Sequence, residues 1–276
     1  MGNIFRTFLL MTILTVLFVW IGSIIGGTEG AVIAFLIAAA MNFFSYWFSD
    51  KMVLRRYKGR EVGQEDNSRL YNVVSELSQK ANLPMPRVFQ IPEKSPNAFA
   101  TGRNPEHAAV AATDGILKIL TDDELKGVMA HELAHVRNRD ILIGTIAATF
   151  AGAITVLAQF ARFGGRRNSN PIITLLIVIG APLAAILIRM AISRVREYSA
   201  DKEGAEISGK PLGLANALYK LKHGVAKFPL KNGNPAHSHM FIVNPFLGGL
   251  QKMFSTHPPV DERIRRLEAI SKGHIT

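Results

Sequence analysis

His131-Glu132-Leu133-Ala134-His135 places two imidazoles four residues apart with a carboxylate between them. On an α-helix positions i and i+4 share a face, so both rings can offer a nitrogen to one Zn²⁺ at about 2.0–2.1 Å. Glu132 follows His131 by about 100° of helical rotation, which lets it reach a water at the metal without becoming a ligand. The pentapeptide therefore reads as the metal helix of a zinc hydrolase, with His131 and His135 as ligands and Glu132 as general base.

The residues before it support a helix of the required length. Thr121-Asp122-Asp123-Glu124 has the form of a capping box, with Thr121 accepting from the first turn and Glu124 reaching back. A helix that starts there carries the motif on its third and fourth turns. Leu125, Val128, Met129, Leu133 and Val136 form an apolar stripe that anchors the helix in a protein core. A zinc motif inside a membrane span would sit in a long apolar run, whereas Asp122, Asp123, Glu124 and Lys126 precede this one.

The rest of the chain is unusually apolar. It has 276 residues, 48% of them hydrophobic, no cysteine and a net charge of +11. Mean hydropathy is +0.18 and the pI is near 10.0. Four apolar runs account for this: about Phe8 to Ile25, Ala31 to Phe48, Ile141 to Ala161 and Pro171 to Ile188. Each approaches the roughly 20 residues needed to cross a bilayer. The first run exceeds the usual h-region of a cleaved signal peptide, and a second follows at once. A buried hairpin in a soluble core is the alternative for the later pair, which Gly144, Gly152, Gly180 and Pro182 interrupt.

Lys51, Arg55, Arg56, Lys58 and Arg60 follow the second run, and the loop before it has neither Lys nor Arg. The positive-inside rule then predicts a multi-pass protein whose bulk faces the cytoplasm. Arg162, Arg166 and Arg167 oppose that topology, since they lie in the loop a four-span arrangement would place outside. The basic residues are dispersed around the spans without a nucleic-acid-binding module, so the charge suits a lipid surface rather than DNA or RNA. A chain without cysteine has no disulfide framework, which suits a cytoplasmic domain.

The expected architecture is α+β and mainly helical: a zincin-like domain with a small sheet, plus up to four transmembrane helices. Residues 1–50 form a transmembrane hairpin, 51–140 an α+β region with the metal helix, 141–190 a second apolar hairpin, and 191–276 a C-terminal cytoplasmic region. Leu70, Val73, Val74, Leu77 and Ala81 predict an amphipathic helix ending near Asn82-Leu83-Pro84. Extended segments are expected at Arg87 to Ile91, Ala98 to Thr101 and Ala108 to Ala112.

A catalytic zinc needs a third protein ligand, and a carboxylate suits an ion already holding two neutral imidazoles. Glu197 in Ser193-Arg194-Val195-Arg196-Glu197-Tyr198-Ser199-Ala200-Asp201 is the candidate. Asp201 lies four residues on, placed to accept a ring N–H from a ligating histidine.

Together these features resemble the bacterial HtpX zinc proteases, a family related to the CAAX prenyl endopeptidases. The resemblance rests on HELAH, on SRVREYSAD after an apolar hairpin, on Asn97-Ala98-Phe99-Ala100-Thr101-Gly102 and on two N-terminal spans. It extends through the tail to Ser255-Thr256-His257-Pro258-Pro259. It implies an inner-membrane endopeptidase of protein quality control and stress response, carrying one Zn²⁺ and acting on damaged or misfolded membrane proteins. It assigns the metal to His131, His135 and Glu197, catalysis to Glu132 and support to Asp201. It also places His257 and Arg263 along the active-site cavity, where either could stabilise an oxyanion. A zinc hydrolase of another class and a non-catalytic membrane scaffold are the competing functions, and the intact Glu132 argues against the scaffold.

Overall fold

The structure is a computed structural model that describes residues 3–66, 68–144, 146, 194–227, 242 and 258–274. Helix α1 (Asn3–Arg56) is broken at Gly26 (φ −136°, ψ 23°) and Gly27 (φ 58°, ψ −140°). Gly27 takes a backbone conformation that a side chain would strain, and the chain there doubles back as a hairpin of two helices. The apolar windows Thr7–Ile24 and Gly26–Phe48 have mean hydropathies of 2.2 and 1.8, yet only 17% and 11% of them are buried. Phe8, Trp20, Phe35 and Leu36 are all exposed. Both helices are long and apolar enough to cross a membrane, and they leave these large apolar side chains uncovered by the described residues. Asn42 Nδ2 donates to Thr15 Oγ1 at 2.9 Å, a polar tie between the two halves of α1. The start of the third apolar run, Ile143 and Ile146, packs on Leu10 and Leu14. The remainder of that run and all of the fourth lie outside the described residues.

Beyond the hairpin stands a four-stranded sheet. Its strands are β1 (Arg60–Glu61), β2 (Arg87–Ile91), β3 (Ala98–Gly102) and β4 (Ala108–Thr113). The order is β1-β2-β4-β3, with β2 and β4 parallel and the other pairs antiparallel. Alternation along the strands divides the residues between two cores. Val88, Ala98, Val110 and Ala112 face the main core, whereas Phe89, Ile91, Phe99, Ala109 and Ala111 pack on Val53 and Leu54 at the end of α1. The sheet is thus clamped between the catalytic helices and the foot of the membrane hairpin.

The expected helix after the spans is α2 (Arg69–Lys80), which buries Leu70, Val73, Val74 and Leu77. A short α3 (Asp114–Ile119) leads into α4 (Asp122–Arg137), which carries HELAH. The capping box forms: Thr121 Oγ1 accepts from the Glu124 N–H at 3.4 Å, and Glu124 Oε2 accepts from the Thr121 N–H at 2.8 Å. All five residues of the apolar stripe are buried. Helices α5 (Arg194–Ser208), α6 (Pro211–Lys227) and α7 (Val260–Ser271) complete the domain.

The approach of α5 to α4 requires a glycine. A Cβ on Gly204 would lie 2.8 Å from the His131 backbone nitrogen and 2.9 Å from its Cα. Both atoms belong to a rigid helix, so α5 would have to move away. Glu197, Asp201 and Gly204 lie at i, i+4 and i+7 on one face, and the close approach that Gly204 permits brings the two carboxylates to the metal helix. Gly204→Val is expected to destabilise the fold by about 1–3 kcal/mol, as overpacking does, and to weaken metal binding. Chemical denaturation and metal titration of the purified variant check both, and Ser208→Ala on the same helix serves as control.

Candidate metal centre and active site

The two histidines project from one face of α4, and their Nε2 atoms lie 3.2 Å apart. Glu197, on α5, completes a triangle: Oε1 is 3.6 Å from His135 Nε2, and Oε2 is 3.8 Å from His131 Nε2. Donors at 2.0–2.1 Å from a tetrahedral ion stand about 3.3–3.4 Å from one another, and the ligand atoms of these three residues, all within 4.8 Å of one another, are close enough to share one ion. Among the described residues, His131, His135 and Glu197 are the group able to hold a metal.

The other ring nitrogens point the same way chemically. His135 Nδ1 lies 3.2 Å from Asp140 Oδ2, and His131 Nδ1 lies 3.0 Å from Asp201 Oδ1. The second contact is close but too bent for a full hydrogen bond. Carboxylates at both Nδ1 positions favour a proton there, leaving the Nε2 lone pairs directed at a common point.

Asp140 was not anticipated from the sequence, and its placement has a local cause. After α4 the Asn138 backbone is still helical, and Arg139 turns to φ 57°. The Arg139 N–H bonds Val136 O at 3.1 Å and the Asp140 N–H bonds His135 O at 3.0 Å, which is a Schellman stop. The hydrogen bond that ends the helix therefore starts at Asp140 and returns to His135, bringing the two side chains together. Within Asn138-Arg139-Asp140, five residues beyond the motif, the legible signal was a polar helix stop ending in a carboxylate.

Arg263, on α7, is fully buried. Its Nε and Nη2 grip Asp201 at 2.9 and 2.7 Å, a bidentate pair. Nη1 donates to Ile242 O at 3.4 Å and lies 3.7 Å from Glu197 Oε2. The guanidinium thus braces the Asp201 and Glu197 carboxylates, and its Nη2 lies 3.4 Å from His131 Nε2, beside the candidate metal position. His257 lies outside the described residues. Among the other histidines, His223 is exposed on α6 and apart from the triangle.

A divalent cation would offset the charge that the buried carboxylates carry when ionised. Asp201, Glu197 and Glu132 act on Arg263, whereas Asp140 has Arg196 Nε at 4.0 Å. Ionised, the four carboxylates exceed the two guanidiniums by two negative charges, which a divalent ion would neutralise. Without the ion, burial pushes the Glu132 carboxyl up to about 7, opposed by His135 and reinforced by Glu197. Burial would lower His135, but its bond to Asp140 and the charges of Glu197 and Glu132 raise it to about 9. His131 is held below its ordinary value by burial, against the pull of Asp201.

Glu132 Oε2 accepts the Ala100 N–H of β3 at 2.9 Å. Asn97 O accepts from Thr113 in β4, so alternate residues Phe99 and Thr101 also face β4. Ala98, Ala100 and Gly102 therefore direct their backbone groups away from β4, to the edge that is unpaired among the described residues. A carboxylate of raised basicity thus sits between the candidate metal ligands and a strand edge that is unpaired among the described residues.

The comparisons agree with this geometry. The model of peptidase family M48 matches residues 64–271. A protein called "Protease HtpX homolog" from Syntrophotalea carbinolica is 57% identical over 96% of this chain and 98% of its own. One of the same name from Burkholderia ambifaria is 56% identical over 99% of this chain and 98% of its own. The crystal structure of S. mikatae Ste24p shares the fold, with a TM-score of 0.52 and 17% identity over 96% of this chain. This chain spans 64% of that structure's length.

Asp140→Ala is expected to lower metal affinity by about 10–100-fold, the usual effect of removing a carboxylate partner from a ligating histidine. Asp140→Glu should recover part of it. Competition with a chromophoric chelator measures this without any activity assay, and unchanged affinity in Asp140→Ala would remove Asp140 from the site.

Proposed function

We propose, because the chain belongs to peptidase family M48 and is a membrane-associated metalloprotease, that His131, His135 and Glu197 hold one Zn²⁺ and that Glu132 is the general base of peptide-bond hydrolysis. The carrying observation is the convergence of one ligand atom each from His131, His135 and Glu197 to within 4.8 Å of one another, with Glu132 beside them. A bound Zn²⁺ would supply Lewis acidity toward the scissile carbonyl and the attacking water.

The chain's own groups perform the proton work. Glu132 takes a proton from the water as it adds to the carbonyl carbon, then delivers it to the leaving amine as the C–N bond breaks. Burial and the Ala100 N–H hold the carboxylate in place for both transfers. An extended substrate would approach β3 at Ala100, the residue of that strand that is not buried, along the edge that is unpaired among the described residues. Pairing there binds through the main chain and tolerates many sequences, as a protease for damaged or misfolded membrane proteins requires.

In this reading the chain is a multi-pass protein of the bacterial inner membrane, and the domain after the first hairpin faces the cytoplasm. The run of basic residues just beyond Phe48 supports that orientation.

Glu132→Gln is expected to retain metal while cleavage of casein falls by at least about 10²-fold, the range for losing a general base. Metal analysis beside the cleavage assay reads both, and near wild-type cleavage would remove Glu132 from the mechanism. Topology is read by single cysteines in the cysteine-free chain. Cysteine at exposed Thr28 should react with an impermeant thiol reagent on intact cells, and cysteine at exposed Glu206 only after lysis. Labelling of Glu206→Cys on intact cells would reverse the orientation.

A further inference from the structure

The end of the second span is built differently from the rest of the hairpin. Trp47, Lys51 and Arg55 follow one another at intervals of four residues, and so run down one face of α1. Trp47 is 45% exposed, and it is the penultimate residue of the apolar window. The Arg103 guanidinium lies 4.5 Å over its ring, brought there by the turn that joins β3 to β4. Lys51 Nζ rests against the Phe48 ring at 5.7 Å.

These cations are not consumed by the protein. Asp50, the nearest acid on this part of the helix, is paired with Arg87 of β2. Among the described residues, no ion pair engages Lys51, Arg55 or Arg103. Three cations and an indole therefore converge where an apolar helix leaves the hydrocarbon layer. An indole favours that depth because one end is apolar and the other wet, and the cations there meet lipid phosphates.

We infer that the face formed by Trp47, Lys51, Arg55 and Arg103 binds the headgroups of anionic phospholipids, and that this contact seats strand β3 on the membrane surface. Arg103 follows Gly102, the last residue of β3, and Ala100 of that strand donates to Glu132. Lipid bound at Arg103 thus holds the far end of the strand that carries the substrate edge. Charge complementarity selects the occupant: zwitterionic headgroups offer no net charge to three cations, whereas phosphatidylglycerol offers one each. This adds a lipid partner to the protease reading of the site and rests on it for the catalytic consequence, although lipid binding itself does not.

The chain has two tryptophans, Trp20 and Trp47, so Trp20→Phe leaves Trp47 as a single reporter. The full-length Trp20→Phe protein is placed in bilayers of equal phosphatidylcholine and phosphatidylglycerol, with bromine on the acyl chains of one lipid or the other. Brominated phosphatidylglycerol should quench Trp47 as though enriched there at least about fivefold, the order contributed by one basic residue at the surface. Lys51→Gln/Arg55→Gln and Arg103→Gln should each reduce that preference, and all three together should abolish it. Equal quenching by the two brominated lipids, or a preference unchanged in the triple variant, overturns the inference.

A second measurement concerns β3. Peptide turnover by the wild-type chain in phosphatidylglycerol-containing nanodiscs should exceed that in pure phosphatidylcholine severalfold, and the triple variant should turn over equally in both. Equal turnover by the wild-type protein in the two discs overturns the seating of β3. If cleavage is absent in both, or persists in Glu132→Gln, the protease mechanism fails while the quenching result still decides lipid binding.

Discussion

Two imidazole nitrogens 3.2 Å apart inside a protein must share something positive between them, either a proton on one ring or a metal ion bound by both. The domain is arranged around that constraint. Asp140 and Asp201 fix the rings from behind, Glu197 closes the triangle, and Arg263 offsets the carboxylate charge that accumulates there. Removing Arg263 alone would strand Asp201 in a buried site, a loss on the order of 3–5 kcal/mol. The pair is thus a structural necessity created by the metal site.

The same constraint explains the choice of packing residues. Helix α5 must come close enough for Glu197 to reach two rings on α4, and Gly204 permits it. Helix α4 must also not slide, and its capping box and Schellman stop fix both ends. The stop does double duty, because the N–H that terminates the helix belongs to the residue whose carboxylate orients His135. Local backbone chemistry and metal chemistry are here one hydrogen-bonding pattern.

Much of this was legible in the sequence because it is periodic or local. The HELAH spacing, the capping box at Thr121 and the apolar stripe from Leu125 to Val136 are statements about one helix, and helices have one period. The strands at Arg87, Ala98 and Ala108 were bounded by Pro and Gly turns, and came out within a residue or two. Glu197 and Asp201 were legible as a pair once a third ligand was demanded. What escaped depends on long-range pairing: β4 inserting between β2 and β3, the tiny β1, and the Ala100 N–H reaching Glu132. Asp140 escaped because a left-handed Arg139 is not a residue whose type announces a Schellman stop. Arg263 was expected along the cavity, but its bidentate grip on Asp201 depends on how α7 packs, which no local pattern encodes.

The central claim is that α4 and α5 hold one ion between them through two imidazoles and one carboxylate. X-ray absorption at the zinc edge, on the full-length chain purified in detergent and loaded with one equivalent of Zn²⁺, tests it most directly. The account predicts four light-atom donors at about 2.0–2.1 Å, with outer-shell scattering from two imidazole rings. Outer-shell scattering from a single ring, or from three or more, would contradict it.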